Sequence, residues 1–239
     1  MTSARKNFGA RLYHLLPPTP LFLRHPFKIY EFNEMLRLAP PRPTDAVLDL
    51  GCGMGRQSTF LARRAGHVVA LDPSADMIAR AERVLAEARI RNITLRHAEL
   101  ASAGFGVGSF DAAYSFSVIE HVVNLPALFR EVLRVLKPGG RFIVSTDSLA
   151  QIADPGFIAR HNAQCGVVTL FSGTSLKAMF SEAGFAEVHV HPICTSDFAA
   201  REFVQAEDRQ HQYRMIPGLW TAARLRWLDR IHPGREQGI

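Results

Sequence analysis

The 239-residue sequence lacks any apolar run of the roughly 18 residues that a membrane-spanning helix requires, so no segment is expected to cross a bilayer. Cysteine is scarce: Cys52, Cys165 and Cys194 are odd in number, widely spaced and without metal-type pairing. A disulfide framework and a metal site are therefore not expected, and three reduced thiols suit a cytoplasmic protein. The N-terminus, "MTSARKNFGARLYHLLPPTP", has too few apolar residues before Pro17 for a secretory signal. It is basic and free of acids, as transit peptides are, but prolines follow too soon for targeting to be the preferred reading. No internal repeat or low-complexity tract is present. Lysine is nearly missing, with 4 Lys against 24 Arg in the whole chain.

The formal charge of +6 is unevenly placed. Residues 47–200 carry 14 Lys/Arg against 14 Asp/Glu, residues 1–46 carry 7 against 3, and residues 201–239 carry 7 against 5. A neutral centre argues against a nucleic-acid groove, so no nucleic-acid partner is expected. The basic flanks leave open a peripheral contact with anionic lipid or with a lipid-like substrate.

Hydrophobic residues at 47% and charged residues at 21% describe an ordinary globular chain with a sizeable core. From residue 46 onward, strand-like runs alternate with helical ones. The runs "AVLDL" (46–50), "HVVAL" (67–71), "ITLR" (93–96), "DAAYSFS" (111–117), "RFIVST" (141–146) and "AEVHVHP" (186–192) read as strands. Between them, Ile78, Ala81, Leu85 and Ala88 form one helical stripe after a Ser74 cap. Leu125, Phe129, Val132, Leu133 and Leu136 form another, started by Asn124 and Pro126 and stopped by Gly139 and Gly140. Leu176, Met179, Phe180 and Ala183 form a third that ends at Gly184. Strict alternation predicts a doubly wound α/β fold with a mostly parallel sheet covered on both faces. Three parts follow: a proline-rich, partly helical segment 1–45, a central domain 46–195 and a helical extension 196–239. In the extension, Leu219, Trp220, Ala223, Trp227, Leu228 and Ile231 share one side, and docking of that stripe on the domain is preferred to a lid or a membrane contact.

The stretch "VLDLGCGMGRQSTFLA" carries the first chemical signal. Gly51, Gly53 and Gly55 follow a strand and precede a helix, so the chain turns sharply and a ligand can approach the backbone. Asp72 closes the next strand, where a carboxylate can accept both hydroxyls of a ribose. Arg56 stands where a dinucleotide fingerprint needs its third glycine. Asp49 lies two residues before the first glycine and would repel a pyrophosphate while attracting an ammonium or a sulfonium. Adenosine joined to a cationic amino acid, S-adenosylmethionine, meets these requirements.

At "VLDLGCGMG", "VVALDPS", "FDAAYSFSVIEHV" and "LKPGGRFIVST", in that order, the chain resembles the class I S-adenosylmethionine-dependent methyltransferases. The similarity is to the small-molecule group that includes the ubiquinone and menaquinone biosynthetic enzymes. The resemblance runs over residues 47–146 and, more weakly, to about residue 192. It implies a seven-stranded Rossmann-like sheet with an antiparallel strand near 186–192. It also implies that Gly51, Cys52, Gly53 and Gly55 line the methionine moiety by their backbone, that Asp49 meets its amino group, and that Asp72 binds the ribose. Pro73 or Met77 would lie against adenine. The family commonly has "GDA" after its third strand; here "RHAEL" places His97 at the acid's position, which leaves the Ala98 and Glu99 backbone as the expected adenine contact. Residues 117–121, "SVIEH", would form the floor beneath the methyl group, with Ser117 against the cofactor and His121 as a candidate general base.

Tyr13, His14, Tyr30 and His161 fall in segments expected to cover the site, each with a packing role preferred. No Asn/Asp-Pro-Pro-aromatic signature and no Pro-Cys nucleophile follow the fourth strand, which favours a small organic acceptor over a nucleic acid, with O-methylation slightly preferred. Two alternatives stay open: a nicotinamide-dependent oxidoreductase on a similar sheet, and a methyltransferase-like protein that binds without turnover.

Overall fold

A computed structural model describes residues 25–208 and 215–231; Tyr13, His14 and the basic N-terminal stretch lie outside the described residues. Five strands form one all-parallel sheet in the order β3-β2-β1-β4-β5. They are β1 (Ala46–Leu50), β2 (His67–Asp72), β3 (Ile93–His97), β4 (Phe110–Phe116) and β5 (Leu136–Ser145). Side chains alternate across β1, as the two-residue strand period demands. Val47 joins one buried layer with Leu61, Val68 and Ala112, and Leu48 and Leu50 join the opposite layer with Leu71, Ala113 and Val132.

Eight helices accompany the strands among the described residues: α1 (Pro26–Leu38), α2 (Arg56–Ala62), α3 (Ala75–Ala88), α4 (Leu125–Val135), α5 (Pro155–Cys165), α6 (Gly173–Glu182), α7 (Asp197–Asp208) and α8 (Met215–Ile231). The predicted stripe of α3 is buried at Ile78, Ala81 and Leu85, and the Met77 amide donates to the Ser74 hydroxyl at 3.3 Å as its cap. In α4 the Ala127 amide donates to Asn124 Oδ1 at 3.1 Å, while Leu125, Phe129 and Val132 are buried. A Ser172–Ser175 capping box starts α6 and Phe180 is its buried residue.

Two expectations are corrected. Helix α4 stops at Val135, not at Gly139, because Leu136 already pairs with Phe110 and Arg141 with Ala112. The "KPGG" turn is thus carried as a bulge inside β5, five residue steps there matching two on β4. Secondly, residues 186–192 form no ladder, so the described residues contain five parallel strands and no antiparallel one. Phe142, Val144 and Val188 pack around α6, and a cleft lies between the outer edge of β5 and residues 184–193, which keeps the two backbones from pairing.

The order of strands reverses at β1, where one crossover leads outward to β2 and the next returns to β4. The carboxyl ends of β1 and β4 flank that switch point, the usual crevice for a ligand in such sheets. Helix α1 covers the crevice and is held by α8. The Tyr30 hydroxyl donates to Asp229 Oδ2 at 2.9 Å, Arg226 pairs with Glu34 at 2.9 Å, and Asp229 also accepts the Thr195 amide at 2.9 Å. The docking face of α8 is therefore Ala222, Leu225, Arg226 and Asp229. Trp220 and Trp227 are instead 74% and 57% exposed, so the predicted apolar stripe does not dock as a whole. Charge pairing and the small Ala222 set the rotation of the helix, and hydropathy spacing alone does not.

Candidate active site

The glycine loop is pinned to the end of β2: the Gly51 and Cys52 amides both donate to the Leu71 carbonyl, at 2.8 and 2.9 Å. Gly51, Gly53 and Gly55 have φ of +73°, +53° and +71°, the left-handed region that other residues enter at a cost. Their missing side chains do different work. A Cβ on Gly51 would lie 2.5 Å from a Val118 methyl, and one on Gly55 would lie 2.9 Å from Ala81, so both glycines admit close packing. A Cβ on Gly53 would meet nothing within 4 Å. Gly53 is thus the position where the loop's backbone is bare to a ligand. Cys52 is buried, its Sγ lies near the Gly53 carbonyl, and burial pushes its thiol well above the usual range. Its side chain belongs to the core, and only its backbone belongs to the loop.

Asp72, at the end of β2, accepts the Gly53 amide on Oδ2 at 2.8 Å and the Ser74 amide on Oδ1 at 2.9 Å. Each carboxylate oxygen keeps a further lone pair. Asp49 is 1% exposed; Ser58 donates to its Oδ2 at 2.5 Å, while Oδ1 has no partner. Burial, and then the charge of Asp72, raises the Asp49 carboxyl to about 7 against the opposing pull of Ser58. A buried, half-satisfied carboxyl of this kind lacks a cation.

Beyond Asp72, exposed Pro73 and half-buried Met77 open α3. The Ala98 amide donates to the Asp72 carbonyl at 3.2 Å, tying the end of β3 to the same place. His97 Nε2 donates to the Pro73 carbonyl at 3.0 Å and so braces the turn on which Pro73 sits. Glu99 is exposed and its carbonyl accepts from Ser102.

Past β4 the chain enters the turn 117–121. Ser117 adopts φ 49°, an uncommon conformation for a residue with a side chain, and Val118 packs on Gly51. This turn joins the glycine loop to a cleft of about 1890 Å³ between α1, the ends of β4 and β5, and residues 184–193. One end of the cleft is polar. Glu31 Oε1 accepts from the Ser117 hydroxyl at 2.9 Å and from the Ser145 hydroxyl, and Glu31 Oε2 pairs with Lys28 at 2.9 Å. Lys28 also donates to Ser117 and lies 3.8 Å from Asp147, whose other oxygen is 3.7 Å from His161. Thr146 donates to Glu120 Oε2 at 3.2 Å. Phe142, Phe171, Phe180, Phe185, Val188 and Ile193 line the rest with apolar surface.

Residues 48–144 match the family described as "Methyltransferase domain". The chain is 29% identical over 216 residues to phosphoethanolamine N-methyltransferase 1 of Arabidopsis thaliana, an alignment covering 87% of this chain and 37% of that one. It is 32% identical over 136 residues to a ubiquinone biosynthesis O-methyltransferase of Xanthomonas oryzae pv. oryzae, covering 54% of this chain and 53% of that one. Among solved structures, an S-adenosylmethionine-dependent methyltransferase of Mesorhizobium loti superposes with a TM-score of 0.60 at 27% identity, over 74% of this chain and 92% of that one. Residues 48–144 thus carry a match to a methyltransferase domain, on a fold shared with an S-adenosylmethionine-dependent enzyme.

The chain thus spans about a third to a half of these curated relatives. The match lends no support to the nicotinamide alternative. The residues of the methyltransferase loop also fit the cofactor on their own geometry: the unpartnered Asp49 Oδ1 wants an ammonium, Gly53 presents bare backbone, and Asp72 has lone pairs for a ribose. The sequence did not single out Lys28, Glu31 or Asp147. Burial works against the Lys28 charge, but Glu31, Asp147 and Glu120 outweigh it and raise its pKa. Burial likewise opposes ionisation of Asp147, yet Lys28 and then His161 hold it down to about 2. Burial, then Asp147, pushes the Glu120 carboxyl up to about 7. The one available signal was Glu31 and Glu34 buried within an apolar helix, and that burial needs the fold to be seen.

Proposed function

We propose that this chain transfers a methyl group from S-adenosylmethionine to a small organic acceptor bound in the cleft, with oxygen favoured over nitrogen. The observation that carries the reading is the contact of Gly51 with Val118, which sets the glycine loop and the polar end of the cleft against opposite sides of one turn. The cofactor supplies a methyl already activated on a sulfonium, so the chain's own task is chiefly to hold and shield the reactants. Asp49 would hold the cofactor's ammonium, Asp72 its ribose hydroxyls, the backbone of 51–55 its methionine part, and Pro73, Met77, Ala98 and Glu99 its adenine. Ser117, fixed by Glu31 and Lys28, would floor the methyl position. His121 donates from Nδ1 to the Gly166 carbonyl at 3.0 Å, which leaves Nε2 as its basic atom and keeps it a candidate base. Residues 46–195 would form the catalytic unit, with 1–45 and 196–239 as flanks that close it. Release of S-adenosylhomocysteine by the purified protein, screened against pooled metabolites, quinols and lipids, tests the reading. Binding of S-adenosylhomocysteine without turnover on any pool would favour the non-catalytic alternative.

The outward face of α8 supports a peripheral contact with an anionic membrane. Trp220, Trp227 and Ile231 are exposed there beside Arg224 and Arg230, and the one acid of α8, Asp229, faces α1. Aromatic and arginine side chains together suit the interface of a charged bilayer. Sedimentation with phosphatidylglycerol vesicles but not with phosphatidylcholine vesicles, lost in Trp220→Ala/Trp227→Ala, is the expected result. Equal recovery with both vesicle types would refute it.

A further inference from the structure

We infer that the acceptor is uncharged where it reacts, a phenol or alcohol on an apolar body, and that Glu120 takes its proton. The inference rests on the methyltransferase reading above. Three carboxyl groups, Glu31, Asp147 and Glu120, meet at the polar end of the cleft against one lysine, and Lys28 is already engaged by Glu31 and Ser117. A carboxylate or phosphate on the acceptor would enter an excess of like charge. An amine would be held there as its ammonium, which has no lone pair with which to attack. A hydroxyl is neutral on entry and offers one proton to an acceptor atom. The remaining walls, from Phe142 on β5 to Ile193, suit an apolar or aromatic body.

Glu120 is the buried carboxyl of this cluster with an open acceptor atom. It is 1% exposed and lines the cleft; Thr146 occupies Oε2, and Oε1 has no hydrogen-bond partner among the described residues. A buried carboxyl oxygen without a donor is costly, and a substrate hydroxyl supplies the missing donor. The other carboxyls are committed. Glu31 accepts from two hydroxyls and pairs with Lys28, and Asp147 lies between Lys28 and His161. His121 is exposed and its ring is anchored to Gly166. Burial and the charges of Asp147 and Glu31 favour the protonated form of Glu120, whereas Lys28 favours the ionised one; His121, His161 and the Cys194 thiol, which burial holds protonated, also face the cluster. The backbone amide of Glu120 itself favours the ionised form more than Lys28 does, and the balance leaves Glu120 able to take up and release a proton near neutrality.

In the step, the hydroxyl oxygen attacks the methyl carbon and an O–C bond forms as the C–S bond breaks. The C–S electron pair stays on sulfur, which becomes a neutral thioether, and the hydroxyl proton passes to Glu120 Oε1 and then to water. No further reactant is needed.

The test uses the full chain and begins with calorimetry of S-adenosylhomocysteine binding, whose absence would remove the cofactor reading itself. With that ligand bound, affinities are then compared for 4-octylphenol, 4-octylbenzoate and octylammonium. The phenol is expected to bind at least tenfold more tightly than either charged probe, and equal or tighter binding of a charged probe would overturn the acceptor class. With S-adenosylmethionine and the phenol, Glu120→Gln should lower kcat by about 10²–10⁴-fold and abolish the rise of kcat/KM through neutral pH. It should leave S-adenosylhomocysteine affinity within about twofold and the melting temperature no lower, and Glu120→Asp should restore part of kcat. A pH profile kept in Glu120→Gln but lost in His121→Asn would assign the proton to His121 and refute this role. Failure of the phenol to bind at all while S-adenosylhomocysteine binds would refute the acceptor class and leave the cofactor reading standing.

Discussion

Replacement of Asp49 by Asn should abolish a pH dependence of cofactor affinity that the wild-type loop carries. In the ligand-free protein the Asp49 carboxyl titrates at about 7, because burial and Asp72 favour its neutral form more than the Ser58 hydroxyl favours its ionised form. The ammonium of the ligand requires the ionised form. Because the ligand-free carboxyl sits above its ordinary value, affinity is low below pH 7 and rises as pH passes through it. About one-tenth of the sites are ionised at pH 6 and about three-quarters at pH 7.5, so affinity should increase by about eightfold across that interval, or roughly 1.2 kcal/mol. Calorimetry with S-adenosylhomocysteine, which keeps the ammonium, should also show about half a proton released at pH 7 in buffers of different ionisation enthalpy. In Asp49→Asn the slope should vanish and affinity at pH 7.5 should fall by about 1.5–3 kcal/mol, the range for a charge-assisted hydrogen bond. A dissociation constant that is flat from pH 6 to 7.5 in the wild type would refute the reasoning, as would a slope that survives the substitution.

Asp72→Ala strips the Gly53 and Ser74 amides of their acceptor and removes the proposed ribose contact, so S-adenosylhomocysteine affinity should drop by about 1.5–3 kcal/mol; unchanged affinity would sink that assignment. His97→Asp breaks an exposed bond to the Pro73 carbonyl and should leave affinity equal or better, with a stability change of at most about 1 kcal/mol; a severe loss of binding would give His97 a role of its own. Gly51→Ala meets Val118 at 2.5 Å with φ +73°. Overpacking and left-handed strain together predict a loss of about 2–5 kcal/mol, read as a melting point about 5–15 °C lower. Val118→Ala in the same chain should recover only the packing part, and full recovery would show that the backbone carries no strain.

The strands and the α3 and α4 stripes were legible because each is a periodicity within a few turns of chain. The boundary of α4 was misplaced because glycines normally end helices, and here the pairing of Leu136 with Phe110 takes over first. The antiparallel strand was inferred from β-rich composition and resemblance. Residues 186–192 have that composition, but they border the cleft and not a neighbouring strand. The same limit governs α8, whose apolar spacing fits either face.

Asp49, the three glycines and Asp72 could be singled out from the sequence, because they occupy one strand, the loop that follows and the next strand end. The polar end of the cleft is of another kind. Lys28 and Ser117 are 89 positions apart, and Glu31 and Ser145 are 114 apart. No periodicity links such residues; α1 brings them together only when it packs across β4 and β5 under the clasp of Asp229. The sequence by itself determined the glycine loop and its two flanking carboxylates, and the tertiary structure decided which groups form the polar end of the cleft, because pairing across that distance exists only after the helix has docked.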